Sequence, residues 1–117
     1  MKISDSQRLQ RITRTGRQLL QLLQDEQITP EVILTSYKAQ WLVTTPLYNI
    51  GEHVYNLSPE LKARYSDVPW TKVAGLRHRL VHNYDDTNWK MINDILFHDL
   101  PLFLQQIETV RASMQDE

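Results

Sequence analysis

The sequence predicts an all-α fold, an antiparallel helical bundle in a single domain spanning residues 1–117 and paired as a homodimer. Three observations carry that prediction. Apolar residues recur at three- and four-residue steps along most of the chain, the period of a helix buried on one face. No segment alternates apolar and polar residues as a half-buried strand does. Helix starts punctuate the chain at Ser4-Asp5-Ser6-Gln7, Thr29-Pro30 and Ser58-Pro59-Glu60.

The first helix begins at Ser4, whose hydroxyl and the Gln7 amide form a capping-box pattern, and runs to about Asp25. Leu9, Ile12, Leu19, Leu20 and Leu23 cluster on one side of it. Gly16 falls within that face, which predicts close approach of a neighbouring helix. Arg8, Arg11, Arg14 and Arg17 step around the opposite half, a solvated face and the second candidate for backbone-phosphate contacts.

Thr29-Pro30 supplies an N-cap oxygen followed by a proline at the first helical position. The helical pattern then extends to Leu57, with a break or kink expected near Pro46. Val43, Leu47, Ile50, Val54 and Leu57 form one stripe, and Trp41, Tyr48 and Tyr55 form a column on the opposite side. A helix apolar on two sides must be covered on both, and in a chain of 117 residues a second protomer is a natural cover. A short helix follows Ser58-Pro59-Glu60, and Ser66 to Pro69 joins it to the next. From Asn88, the residues Trp89, Ile92, Leu96, Leu100, Phe103, Ile107 and Val110 make a long apolar face that Pro101 kinks or restarts.

Composition narrows the function classes. Hydrophobic residues make up 41% of the chain, enough for one modest core. The formal net charge of −1 and pI of about 6.4 exclude an overall cationic field, so any nucleic-acid contact must use a local patch. With no cysteine there are no disulfides and no thiolate metal sites, in keeping with a reducing compartment. No apolar run approaches the roughly 20 residues that span a bilayer. The opening MKISDSQRLQ lacks the apolar region of a signal peptide, so a cytoplasmic protein without membrane contact is expected.

The densest chemistry lies in VPWTKVAGLRHRLVHNY, from Val68 to Tyr84. Pro69 is expected at the first position of a helix whose buried face is Val73, Leu76 and Leu80. Arg77, His78, Arg79, His82, Asn83 and Tyr84 crowd the same stretch, combining a permanent cation with groups that titrate near neutrality. His78 and His82, one turn apart, have a spacing that lets two imidazoles share an ion. A metal site needs a third ligand, which only the fold could bring in from Glu52, His53 or Asp85. The isolated glycines Gly16, Gly51 and Gly75 form no phosphate-cradling loop.

Arg77, four residues, His82, one residue, Tyr84 resembles the motif of the HEPN superfamily, and within it of the HepT-like toxins. Ile50-Gly51-Glu52 is similar to the family's isoleucine-glycine-glutamate, and Asp99-Leu100-Pro101 to its aspartate-leucine-proline break. One departure is His78, where asparagine often stands. The resemblance implies a small helical toxin paired with a minimal nucleotidyltransferase (MNT) antitoxin. It also implies an endoribonuclease cleft built from both protomers.

Metal-independent RNA cleavage suits these side chains and calls for no cofactor. A histidine can take or give the proton at the ribose 2′-OH or the leaving 5′-oxygen, and an arginine fork can hold the charged phosphorus centre. His82 is assigned proton transfer, Arg77 transition-state binding, and His78 a helping role. On an ideal helix Arg77 and His82 lie about 140° apart. Either the helix unwinds by His82 or the site is composite, and the resemblance implies the second. For Tyr84 the resemblance implies the role of acceptor for AMP transferred by the antitoxin. The competing reading is a non-catalytic helical dimer that binds a nucleotidyltransferase, a nucleotide or RNA.

Overall fold

Capping decides where the helices of this chain begin and end. The computed structural model describes residues 3–81 and 86–115, and within them the regular elements are helical. Helix α1 spans Asp5–Asp25, with Ser4 and Gln7 completing the capping box in both directions. Past its C-cap Glu26 the chain turns away at Gln27, whose φ of 53° is left-handed. The Ile28 amide donates to the Leu23 carbonyl at 2.8 Å and the Gln27 amide to that of Gln24, a Schellman pattern with glutamine where glycine is usual.

The expected Pro30–Leu57 segment is divided, but not where proline placed the break. Helix α2 covers Pro30–Thr35 and α3 covers Tyr37–Tyr55, with Pro46 inside α3. The break falls at Ser36, which is extended (φ −110°, ψ 113°) and caps α3 through its hydroxyl on the Ala39 amide. The Gln40 side chain then donates to the Ile33 carbonyl at 2.8 Å, satisfying an orphan acceptor near the end of α2. The break is held by a local cap and a tie across it, while α3 continues through Pro46 despite the one hydrogen bond that an interior proline removes.

Helix α4, Pro59–Arg64, is capped by Ser58. Ser58 also donates its amide (3.0 Å) and hydroxyl (2.6 Å) to Asp5, locking the start of α4 to the start of α1. The motif segment begins one residue later than expected: Pro69 is the N-cap and α5 runs Trp70–Ala74. After Gly75, α6 continues over Leu76–Val81. Asn88 caps α7, Trp89–Asp94. A wide π-helical turn, Ile95–Asp99, then leads into α8, Leu100–Gln115. That turn is the physical form of the expected restart. Pro101 cannot donate to the carbonyl four residues back, and the Leu100 amide reaches Ile95, five back, instead.

Helix α3 is the central element, packed on α1, α5 and α6, while α8 closes the other side of α1. Its stripe of Val43, Leu47, Ile50 and Val54 is fully buried, and so are Leu9, Ile12, Leu76, Leu96, Leu100, Phe103 and Ile107 from its neighbours. Burying each such side chain contributes about 1.5–3 kcal/mol. Gly16 meets α8 as expected, since a Cβ there would strike the Leu104 methyl groups. On the opposite side of α3, Trp41 is 58% and Tyr55 55% exposed in the single chain, while Tyr48 between them is half-buried against the core. No helix among the described residues is long and apolar enough to cross a membrane.

Candidate functional site

The site is built where the motif segment crosses α3 at Gly51. A Cβ at Gly51 would stand 2.8 Å from the Arg77 amide nitrogen and 3.1 Å from Leu76 Cβ, closer than real side chains pack. Only glycine lets the two backbones approach this far, and the approach delivers Arg77 to the next residue of α3. Arg77 Nε donates to Glu52 Oε2 at 2.6 Å. One turn further along α3, the Tyr55 ring lies under the guanidinium, 4.2 Å from Cζ to the ring centroid.

This clamp fixes the Arg77 charge state and aim together. The Arg77 hydrogen bond, above all, holds the Glu52 carboxyl below its ordinary range, and Glu52 in turn raises the Arg77 pKa. Both side chains are about one-third exposed, so the pair sits at the surface. With Nε bonded to Glu52, the terminal fork of Nη1 and Nη2 is the part of Arg77 that can grip phosphate oxygens in bidentate fashion.

The sequence-predicted residues do not all converge. His78, although adjacent in sequence, is exposed on another side of α6, where with Arg79, Asp86, Asn88 and Met91 it lines a hollow of about 190 Å³. His82, Asn83, Tyr84 and Asp85 lie outside the described residues. Of the third ligands considered for an ion, Glu52 is held by Arg77, and His53 faces α1, where Arg8 Nη1 donates to its Nδ1 at 3.1 Å. Among the described residues no group of three or more His, Asp or Glu side chains could hold a metal ion.

Two neighbours of Arg77 went unassigned in the sequence. Glu52 stood out only through the isoleucine-glycine-glutamate resemblance and as a conceivable ligand, and Tyr55 only as part of an aromatic column. Gly51 was the available signal, because a glycine inside an otherwise well-formed helix marks a close backbone approach.

The model of the family described as "Ribonuclease HepT-like" matches residues 6–110, which includes every element of this site. The chain belongs to the HepT-like ribonuclease family. It is 33% identical over 90 residues to "Putative RNase MJ0127" of Methanocaldococcus jannaschii, covering 77% of this chain and 74% of that protein. It is 34% identical over 61 residues to "Putative RNase TTE0752" of Caldanaerobacter subterraneus, covering 52% of this chain and 54% of that protein. Against "Probable ribonuclease HepT" of Thermococcus cleftensis it is 26% identical over 90 residues, covering 74% of this chain and 82% of that one. No solved structure matches. Within a HepT-like chain the helical fold and the Gly51 crossing set the motif arginine beside a glutamate and a tyrosine of the central helix.

Proposed function

We propose that this HepT-like protein is a metal-independent endoribonuclease, the toxin of a pair whose antitoxin is an MNT-type nucleotidyltransferase. The observation that carries the reading is the clamped Arg77, a surface guanidinium with its terminal fork available, in a chain of the ribonuclease family. In the proposed reaction a histidine, His82, takes the proton of the ribose 2′-OH, and the freed oxygen attacks the adjacent phosphorus. The bond from phosphorus to the 5′-oxygen breaks, that oxygen gains a proton, and the products are a 2′,3′-cyclic phosphate and a 5′-hydroxyl. Arg77 binds the extra charge on the phosphoryl oxygens in the transition state. His78 keeps only a helper's role of lower weight, since it lines a hollow on another side of α6 from the Arg77 clamp.

The open aromatic face of α3 supports a homodimer. Tyr37, Trp41 and Tyr55 are exposed in a single chain, and Tyr55 touches Arg77. A second protomer covering that face would bring two Arg77 clamps to one seam and make the cleft composite. In the same reading, AMP transfer to Tyr84 sets phosphate charge and a bulky base beside the cleft and shuts RNA out.

Cleavage of RNA by purified protein is the test. Arg77→Ala and His82→Ala, each shown to fold and to keep the oligomeric state of the parent, are expected to lower the rate by a factor on the order of 10²–10⁴. EDTA is expected to change nothing, and the products to carry 2′,3′-cyclic phosphate. Full activity in a folded His82→Ala protein would remove His82 from the reaction, and no cleavage by the wild-type protein would leave the non-catalytic binding module as the reading. Activity lost with EDTA and restored by a divalent ion would replace the mechanism with a metal-dependent one.

A further inference from the structure

The arginine stripe of α1 is divided by the fold into side chains already engaged and side chains facing a cleft. Arg17 is paired with Glu108 of α8, and Arg8 donates to His53. Arg11 and Arg14 form no ion pair among the described residues. Instead they line a cleft of about 460 Å³ between α1 and α3, together with Thr15, Thr45, Asn49 and His53. Among the described residues no carboxylate contributes to that wall. Two guanidiniums, two hydroxyls and an amide around one open cleft form a donor-rich lining suited to an anion.

The histidine reinforces this character. His53 is buried, and an arginine N–H can only donate, so Nδ1 is the acceptor and the ring proton sits on Nε2. Burial first, and then the charges of Arg8 and Arg11, lower the His53 pKa, in keeping with a neutral ring. The cleft is also next to the clamp. His53 follows Glu52 on α3, so one residue of the central helix faces Arg77 and its neighbour faces the cleft.

We propose that the α1–α3 cleft lined by Arg11, Arg14, Asn49 and His53 binds backbone phosphates of the RNA that flank the bond presented to Arg77. The inference rests on the ribonuclease reading and adds where the rest of the strand lies. A chain with net charge −1 has no general field to hold RNA, so a local phosphate track is the form its affinity takes. Non-bridging oxygens are read here, not bases, so the cleft contributes affinity and register without sequence preference.

The test uses the full chain and a short 2′-O-methyl oligoribonucleotide, which lacks the attacking hydroxyl and stays intact while binding is read by fluorescence anisotropy. The double variant Arg11→Ala/Arg14→Ala is expected to bind it about tenfold or more weakly, with the slope of log affinity against log salt reduced by about 0.7 for each phosphate no longer neutralised. Asn49→Asp, which leaves both arginines and adds a carboxylate at the exposed rim, is expected to weaken binding in the same direction. On cleavable RNA the loss is expected in KM for long substrates, with kcat and the cutting of a dinucleotide unchanged. Variants that bind with wild-type affinity and salt slope, while wild type cuts RNA, would overturn the cleft assignment and leave the ribonuclease reading intact. Wild type that binds through the cleft but cuts no RNA would uphold the assignment and overturn the ribonuclease reading. Unchanged RNA binding with weakened binding of a nucleotidyltransferase partner would give the cleft to that partner and overturn the proposal.

Discussion

Glu52 and Arg77, 25 residues apart in sequence, meet at 2.6 Å between Oε2 and Nε, and this contact orients the motif arginine. The guanidinium lies over the Tyr55 ring, 4.2 Å from Cζ to the centroid, with its Nε taken by Glu52. Glu52 therefore acts as a positioning residue. Glu52→Ala is expected to lower kcat for RNA cleavage roughly tenfold to a hundredfold through misaim of Arg77. The fold should survive, because both side chains are about one-third exposed. A kcat loss with KM nearly unchanged, and smaller in Glu52→Gln than in Glu52→Ala, would mark positioning. Unaltered kcat in both would remove the role.

The crossing at Gly51 predicts a contrast with Gly16. Gly51→Ala sets a methyl 2.8 Å from a backbone nitrogen, which cannot rotate away, and is expected to destabilise the protein by about 1–3 kcal/mol. Gly16→Ala meets the Leu104 methyl groups, the end of a flexible side chain, while gaining up to about 1 kcal/mol of helix propensity. Urea unfolding of the two variants should show Gly51→Ala as the more damaging.

His53 predicts an acid-side loss of stability. Its pKa is lowered in the folded chain by burial, then by Arg8 and Arg11, with Glu52 opposing. Below the ordinary value of 6.5 the unfolded chain takes up a proton that the folded chain refuses. Stability should therefore fall as pH drops below that value, and level off under the folded pKa. Glu52, whose pKa is also lowered, contributes a separate loss only below its ordinary 4.5. His53→Gln should flatten the first window and leave the second, as read by thermal unfolding across pH.

The aromatic face of α3 predicts the oligomeric state. Trp41, 58% exposed and edge-on to Tyr37 at 4.9 Å between centroids, is expected at the centre of a dimer seam. Light scattering should give a dimer for wild type and a monomer for Trp41→Glu, with cleavage lost in the monomer. A wild-type monomer at micromolar concentration would remove both the dimer and the composite cleft.

Tyr84 predicts a separation of cleavage from neutralisation. Tyr84→Phe is expected to cut RNA nearly as wild type does, yet to escape a cognate nucleotidyltransferase. Mass spectrometry of the co-expressed pair should show AMP-sized increments on wild type and none on the variant. Increments that persist on Tyr84→Phe would move the acceptor elsewhere.

Local chemistry was enough to determine much of this protein from its sequence. The capping box at Ser4 and Gln7, the starts at Thr29-Pro30 and Ser58-Pro59, and the restart at Pro101 all depend on residues within one turn of each other. Periodicity likewise marked the buried stripe from Val43 to Val54, because the faces of one helix follow from 3.6 residues per turn. The family could be read from the motif around Arg77, which is contiguous. What the tertiary structure decided depends on contacts between distant residues. The break at Ser36 rather than Pro46 is secured in part by Gln40 reaching across it to Ile33. The partners of Arg77 depend on how closely α3 and α6 approach, which the missing Cβ of Gly51 permits but cannot aim. The fate of each arginine on α1 is of the same kind. A stripe with one period in sequence splits into a paired Arg17, an engaged Arg8 and a cleft-facing Arg11 and Arg14, because α3 and α8 pack on different sides of it.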